Sequence, residues 1–166
     1  MMGVGKSTVG TITATILGWQ FLDSDQQVLD ATGRTVKEIF DSDGEEVLHT
    51  FESDAMRAAV TSDASVVAAV AGGVVLGSAN RALLRNGGTI VWLRASLETL
   101  SLRVGEKGDR PHFDGDPTYE LANLYEVRQP LYESLADIVV DVDDRGPDEI
   151  AQFIVNALGR RHGSVA

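Results

Sequence analysis

The sequence predicts an α/β fold, a parallel sheet with helices on both faces. Three observations carry that prediction. Short apolar runs alternate with helical segments along the 166 residues, the order that builds a parallel sheet from successive strand–helix units. Val66-Val67-Ala68-Ala69-Val70 and Ile90-Val91-Trp92-Leu93 are continuously apolar, as strands buried on both faces require. Gly3-Val4-Gly5-Lys6-Ser7-Thr8 is the closing part of G-x-x-x-x-G-K-[ST], the loop that leads from a strand into a helix and cradles phosphates.

The elements follow in order. Residues 7–17 read as the first helix, with Gly18 as its stop. Gln20-Phe21-Leu22 is a short strand ending at Asp23-Ser24-Asp25. Residues 26–31 are helical up to Gly33, and Thr35 caps a short helix over 36–40 whose Lys37-Glu38 pair faces solvent. After Asp43-Gly44 a helix spans about 45–61. The strand over 66–70 ends at Ala71-Gly72-Gly73, a helix over 79–85 follows, and the next strand covers 89–93. Ser96 caps a helix to about 104, and residues 105–116 form a polar, Gly-rich stretch. Pro117 opens the helix that carries 119–135, and residues 138–142 form the last strand. Pro147 opens the last helix, where Ile150, Phe153, Ile154, Ala157 and Leu158 share one face. This is one domain over residues 1–158, with a lid at about 105–117 and a frayed tail over 159–166.

Bulk properties narrow the function. A net charge of −11 argues against nucleic acid as partner, since phosphate backbones need a basic footprint. It allows a small phosphorylated ligand, because backbone dipoles and a few cations reverse the field inside a cleft. The absence of cysteine excludes disulfides and thiolate metal sites and suits a cytoplasmic protein. No apolar run approaches the roughly 18–20 residues of a membrane span, and no signal peptide precedes Gly3. A monomer without a membrane or nucleic-acid partner is expected.

Ligands of open α/β sheets sit beyond the carboxyl ends of the strands. The phosphate loop, Asp23, Asp25, Gly72 and Gly73 all fall there. Gly3 and Gly5 let the backbone turn N–H groups toward phosphate oxygens, flanking Val4 and followed by Thr8. Lys6 would reach the β- and γ-phosphates, and the Ser7 hydroxyl would ligate Mg²⁺ at the positive end of the helix. The plain alternative is a Gly-rich turn. Asp23 and Asp25 can divide labour, one holding metal-bound water and the other orienting a hydroxyl nucleophile; equally, they can end a strand and cap a helix. Gly72-Gly73 marks a close backbone approach to a ligand or a tight turn. Arg110 lies where a lid would bring a cation to the transferred group, or in a solvated loop. Arg128 is on an amphipathic helix, and neither His112 nor His162 has a partner that suggests catalysis.

As an ordered set, Gly3-Val4-Gly5-Lys6-Ser7-Thr8-Val9-Gly10, Phe21-Leu22-Asp23-Ser24-Asp25, Thr32-Gly33-Arg34, Ile39-Phe40 with Asp43-Gly44-Glu45, Gly72-Gly73, Asp109-Arg110-Pro111 and Arg128-Gln129-Pro130-Leu131-Tyr132 resemble the shikimate kinase family from Met1 to about Leu158. A gluconate-type sugar-acid kinase shares the loop and a Leu-Asp-x-Asp strand end but lacks the Thr-Gly-Arg and Asp-Gly-Glu segments in this arrangement. The resemblance implies a P-loop NTPase-type three-layer sandwich that phosphorylates the shikimate 3-hydroxyl with ATP and Mg²⁺. It implies that Asp25 hydrogen-bonds the accepting hydroxyl, Gly72 and its neighbour Gly73 meet the substrate, Arg128 grips its carboxylate and Arg110 meets ATP. Ser7 would ligate the metal with Asp23 beside it, and Arg145 and Pro147 would form the turn against adenine.

Three departures from the family pattern stand out. His49, in Leu48-His49-Thr50-Phe51-Glu52, replaces an arginine that shares the substrate carboxylate with Arg128; the lost clamp is worth roughly 1.5–3 kcal/mol. Ala71 replaces the first glycine of a Gly-Gly-Gly run, at a cost of about 1–2 kcal/mol if that position needs a positive φ. The strand that leads into the phosphate loop, central in the family's sheet, is absent, which predicts unpaired edges on its neighbours and a translation start upstream of Met1. These departures leave two further expectations open: an impaired nucleotide-binding homologue, and a kinase for a related sugar or cyclic acid.

Overall fold

The computed structural model describes residues 1–105 and 117–162. The elements run α1 (Lys6–Leu17), β1 (Gln20–Asp23), α2 (Ser24–Thr32), α3 (Val36–Asp43), α4 (Glu45–Val60), β2 (Val66–Ala69), a 3₁₀ turn (Gly72–Leu76), α5 (Ser78–Gly87), β3 (Val91–Arg94), α6 (Leu97–Gly105), α7 (Pro117–Leu135), β4 (Ile138–Asp141) and α8 (Pro147–His162). Both strand pairings are parallel. β1 pairs with β2 from Gln20↔Val66 to Asp23↔Ala69, and β3 pairs with β4 from Val91↔Ile138 to Arg94↔Asp141. Helices separate successive strands, as parallel pairing demands.

The described strands form two separate two-stranded sheets. A cavity of about 540 Å³ lies between them, lined by β2 and β3 and by residues of α1, α4, α5 and α8. The expected gap in the sheet is therefore present, and it explains one correction. The run 66–70 was expected to be buried on both faces, yet Val66 and Val67 are only half-buried and Ala68 is exposed, because this strand opens onto the cavity.

Local chemistry sets the element ends. Gly18 adopts φ 67° and its N–H closes α1 onto the Ala14 and Thr15 carbonyls. α2 starts earlier than the sequence suggested because Asp23 caps it, accepting from the Asp25 N–H. Thr35 and Glu38 form a reciprocal capping box at α3. That helix continues past Phe40 to Asp43, whose carboxylate accepts from Arg34 Nη2 at 2.6 Å while Ser42 accepts from Nη1 at 3.2 Å. The Thr-Gly-Arg and Asp-Gly segments thus clip α2 to α3. α8 also outruns expectation, reaching His162. Arg161 donates to the Asp137 carbonyl at 2.9 Å and to its carboxylate at 2.8 Å, so residues 159–162 are helix rather than tail.

The main core joins the apolar faces of α1, α7 and α8 with β3 and β4, and a smaller cluster of Val28, Ile39, Leu48 and Ala55 lies under α2–α4. Ala71 sits at φ −57°, ψ 140°, where any residue is at ease, so its replacement of glycine carries no backbone strain.

Candidate active site

The phosphate loop has the backbone its glycines permit. Gly3 and Gly5 lie at φ 72° and 98°, the left-handed region. Gly5 precedes α1 and no side chain caps that helix, so its positive end is turned to the phosphate loop. Val4 is buried and anchors the loop in the core, whereas Thr8 is exposed. Lys6 Nζ donates to the Met1 carbonyl at 3.0 Å, folding the side chain back along the loop. Ser7 Oγ donates to Asp23 Oδ2 at 2.5 Å, and the other oxygen of Asp23 accepts from the Asp25 N–H at 3.0 Å. Asp23 thereby joins the donor loop to the strand end that carries Asp25. Ser7 and Asp23 are adjacent hard oxygen donors, a set that fits Mg²⁺, which takes one or two protein oxygens and fills the rest with water and phosphate. Among the described residues no group of three or more His, Cys, Asp or Glu could hold a metal.

A second cluster forms where α4, the 3₁₀ turn and α7 meet. A Cβ on Gly73 would come within 2.9 Å of His49 Nε2 and 3.5 Å of Glu52 Oε2. One on Gly72 would come within 3.0 Å of the Tyr132 hydroxyl and 3.6 Å of Arg128 Nη1. The double glycine therefore serves close approach. The Tyr132 hydroxyl donates to the Gly72 carbonyl at 2.9 Å and lies 3.5 Å from the Met1 nitrogen. Tyr132 thus links the Gly72 turn to Met1, just ahead of the phosphate loop.

Electrostatics marks the same place. Burial pushes the Glu52 carboxyl up to about 7; the Asp25 charge and, more weakly, Glu45 add to the rise, while Arg128 and Lys6 oppose it. Lys6, Asp25 and Arg128 thus all lie within electrostatic reach of Glu52. Arg128 is only 7% exposed, and its Nε and Glu52 Oε2 are buried without a hydrogen-bond partner. An unpaired guanidinium N–H beside a double glycine suits a planar carboxylate ligand. His49 Nε2 lies 3.6 Å from Glu45 Oε1 and 4.0 Å from Glu52 Oε2, so its nearest charged groups are acids.

Other expected residues stand apart. Arg145 sits just before Pro147 opens α8, 3.8 Å from Glu149 and 5.3 Å from the centre of the Phe153 ring, contacts made within its own helix region. Arg110 and the lid core at 106–116 lie outside the described residues. Two residues of the cluster, Glu52 and Tyr132, were not among the expected site residues. Glu52 could have been found as a charge on the buried stripe of α4 that also carries Leu48, Ala55 and Met56. Tyr132 stands one helical turn beyond Arg128 and so shares its face.

The arrangement offers N–H groups and a lysine for phosphates, a carboxylate at a strand end and a buried guanidinium for an acid. The shikimate kinase family model matches residues 2–159. Shikimate kinase from Moorella thermoacetica is 40% identical over 157 residues, covering 95% of this chain and 90% of the relative. That from Pseudomonas entomophila is 40% identical over 158 residues, covering 95% and 91%. Among solved structures, shikimate kinase from Acinetobacter baumannii in complex with shikimate superposes with a TM-score of 0.91 at 30% identity, covering 96% of this chain and 89% of that one. The Aquifex aeolicus shikimate kinase gives 0.81 at 26% identity, covering 98% and 94%. By sequence and by fold, the chain belongs to the shikimate kinase family.

Proposed function

We propose that this chain transfers the γ-phosphoryl group of ATP to the 3-hydroxyl of shikimate. The observation that carries the reading is the convergence of Lys6, Asp25 and Arg128 on Glu52, beside Gly72 and Gly73. In this reading Gly3, Val4, Gly5, Thr8 and Lys6 hold the phosphates of ATP, and Arg145 and Pro147 face its base. Ser7 and Asp23 hold Mg²⁺, which when bound neutralises phosphate charge. Arg128 binds the shikimate carboxylate, with His49, Gly72 and Gly73 shaping the pocket. Asp25 takes the proton of the 3-hydroxyl as that oxygen bonds to the γ-phosphorus; the bond from γ-phosphorus to the bridging oxygen breaks and ADP leaves. Arg110 meets the transferred group from the lid. Most of the rate gain comes from positioning and charge, because phosphoryl transfer leaves little covalent work for the protein.

A coupled ADP-release assay with shikimate, quinate and gluconate tests the proposal. Turnover on shikimate alone is expected; turnover on gluconate but not shikimate overturns it. Asp25→Asn lowers kcat by about 10²–10⁴-fold, the usual share of a general base. His49→Arg lowers KM for shikimate by about tenfold or more, because it returns a charged fork to the carboxylate. A nucleotide-binding homologue with impaired catalysis is the second reading, favoured by the cavity that splits the sheet beside Lys6. ATP binding without turnover on any acceptor would establish it.

A further inference from the structure

We propose that Asn80 and Arg81, near the start of α5, are positioning residues that set the spacing between two walls of the acceptor pocket. The inference rests on reading the cluster around Gly72, Gly73 and Arg128 as that pocket. One wall is the 3₁₀ turn that carries Gly72 and Gly73, and the other is the stretch of α4 that carries His49 and Glu52. Their separation leaves almost no slack, because a Cβ on Gly73 would come within 2.9 Å of His49 Nε2.

Helix α5 packs on both the 3₁₀ turn and α4, and two adjacent side chains make the polar contacts. Arg81 Nη1 donates to the Val75 carbonyl at 2.7 Å and to the Leu76 carbonyl at 2.8 Å, at the end of the 3₁₀ turn. Asn80 Nδ2 donates to Ser53 Oγ at 2.8 Å, and that hydroxyl donates to the His49 carbonyl at 2.7 Å. One residue thus holds the turn and its neighbour holds the backbone of His49. No residue of α5 is fully buried, and Leu83 and Leu84 are half-buried against the main core, so burial alone fixes this helix weakly. A cation near a helix N-terminus opposes the helix dipole, so the carbonyls that Arg81 holds account for its place. Gly77 makes room for the other contact, since a Cβ there would come within 3.1 Å of Asn80 Nδ2. A displacement of α5 therefore changes the gap between Gly73 and His49, and with it the space beside Arg128 Nη1, which would lie 3.6 Å from a Cβ on Gly72.

The test compares Arg81→Met, Arg81→Lys and Asn80→Ala with the unaltered chain, by steady-state kinetics and by backbone hydrogen exchange without ligand. Arg81→Met and Asn80→Ala are each expected to raise KM for shikimate about tenfold and to leave KM for ATP within about twofold, since the phosphate loop lies outside these contacts. Arg81→Lys is expected to recover most of that loss, because a single nitrogen makes both bonds and an ammonium carries hydrogens enough for two. In the free protein, exchange is expected to quicken about tenfold at residues 72–76 in Arg81→Met and at 49–53 in Asn80→Ala, while β3 and β4 keep their protection. A merely structural role would lower the melting temperature and the active fraction and leave both KM values alone. That result, an equal rise in both KM values, unchanged exchange in the two walls, or failure of lysine to restore KM would each overturn the proposal. Should Arg81→Met not fold, Asn80→Ala decides by the same readings. Absence of shikimate turnover in the unaltered chain is a separate failure: it overturns the acceptor reading, and exchange in the two walls still decides whether α5 holds them.

Discussion

Glu52 carries the clearest consequence at the scale of single residues. Its carboxyl ordinarily ionises near 4.5, and burial together with the neighbouring Asp25 raises it to about 7. Between those pH values the folded chain holds a proton that the unfolded chain has released. Stability therefore falls as pH rises from about 4.5 to about 7 and is level above that, a loss on the order of 3 kcal/mol. Glu52→Gln removes this slope. Urea unfolding at pH 5 and pH 8 is expected to show the wild-type chain losing about 2–3 kcal/mol more than the variant across that interval. The same ionisation reaches the proposed acceptor site. Glu52 faces Asp25, Glu45, His49, Lys6 and Arg128, so its negative charge above pH 7 opposes an incoming carboxylate. KM for shikimate is expected to rise between pH 6 and 8, and less so in Glu52→Gln.

At the scale of elements, α3 shows how local chemistry holds the acceptor side. Its capping box ties Thr35 to Glu38, and the Arg34–Asp43 pair fastens its far end. Thr35→Ala is expected to cost about 0.5–2 kcal/mol in chemical denaturation, with kcat unchanged. These elements were largely legible beforehand. Gly18 and Gly33 announced helix ends, Thr35 announced a cap, and the run 66–70 announced a strand. What stayed hidden was tertiary. The length of α3 depends on an arginine nine residues from its partner aspartate, and that of α8 on Arg161 meeting Asp137 across the molecule. The phosphate loop, Asp25 and Gly72–Gly73 could be assigned to one crevice from strand ends alone. The depth of Glu52 and the tether made by Tyr132 needed α4 and α7 to be docked. The incomplete burial of β2 likewise follows from what stands beside it and from nothing in its own four residues.

At the scale of the whole molecule, an acidic chain handles anionic ligands with a few local cations. A net charge of −11 repels ATP at long range, while Lys6 and Arg128 attract anions only within the cleft. Salt screens the repulsion and the self-repulsion of the fold, so the urea midpoint is expected to rise between 0.05 and 0.5 M NaCl. No helix among the described residues is long and apolar enough to cross a membrane. The Tyr132 hydroxyl, finally, touches the Gly72 carbonyl of the acceptor pocket and lies against Met1, whose own carbonyl receives Lys6. One phenol thus stands between the two pockets proposed for ATP and the acid. In the proposed reading, ATP that draws Lys6 off the Met1 carbonyl would alter the grip on Gly72, and by reciprocity the acid would alter the affinity for ATP by the same factor. The two substrates are therefore expected to bind cooperatively, and Tyr132→Phe, measured by titrating each in the presence and absence of the other, should make their affinities independent.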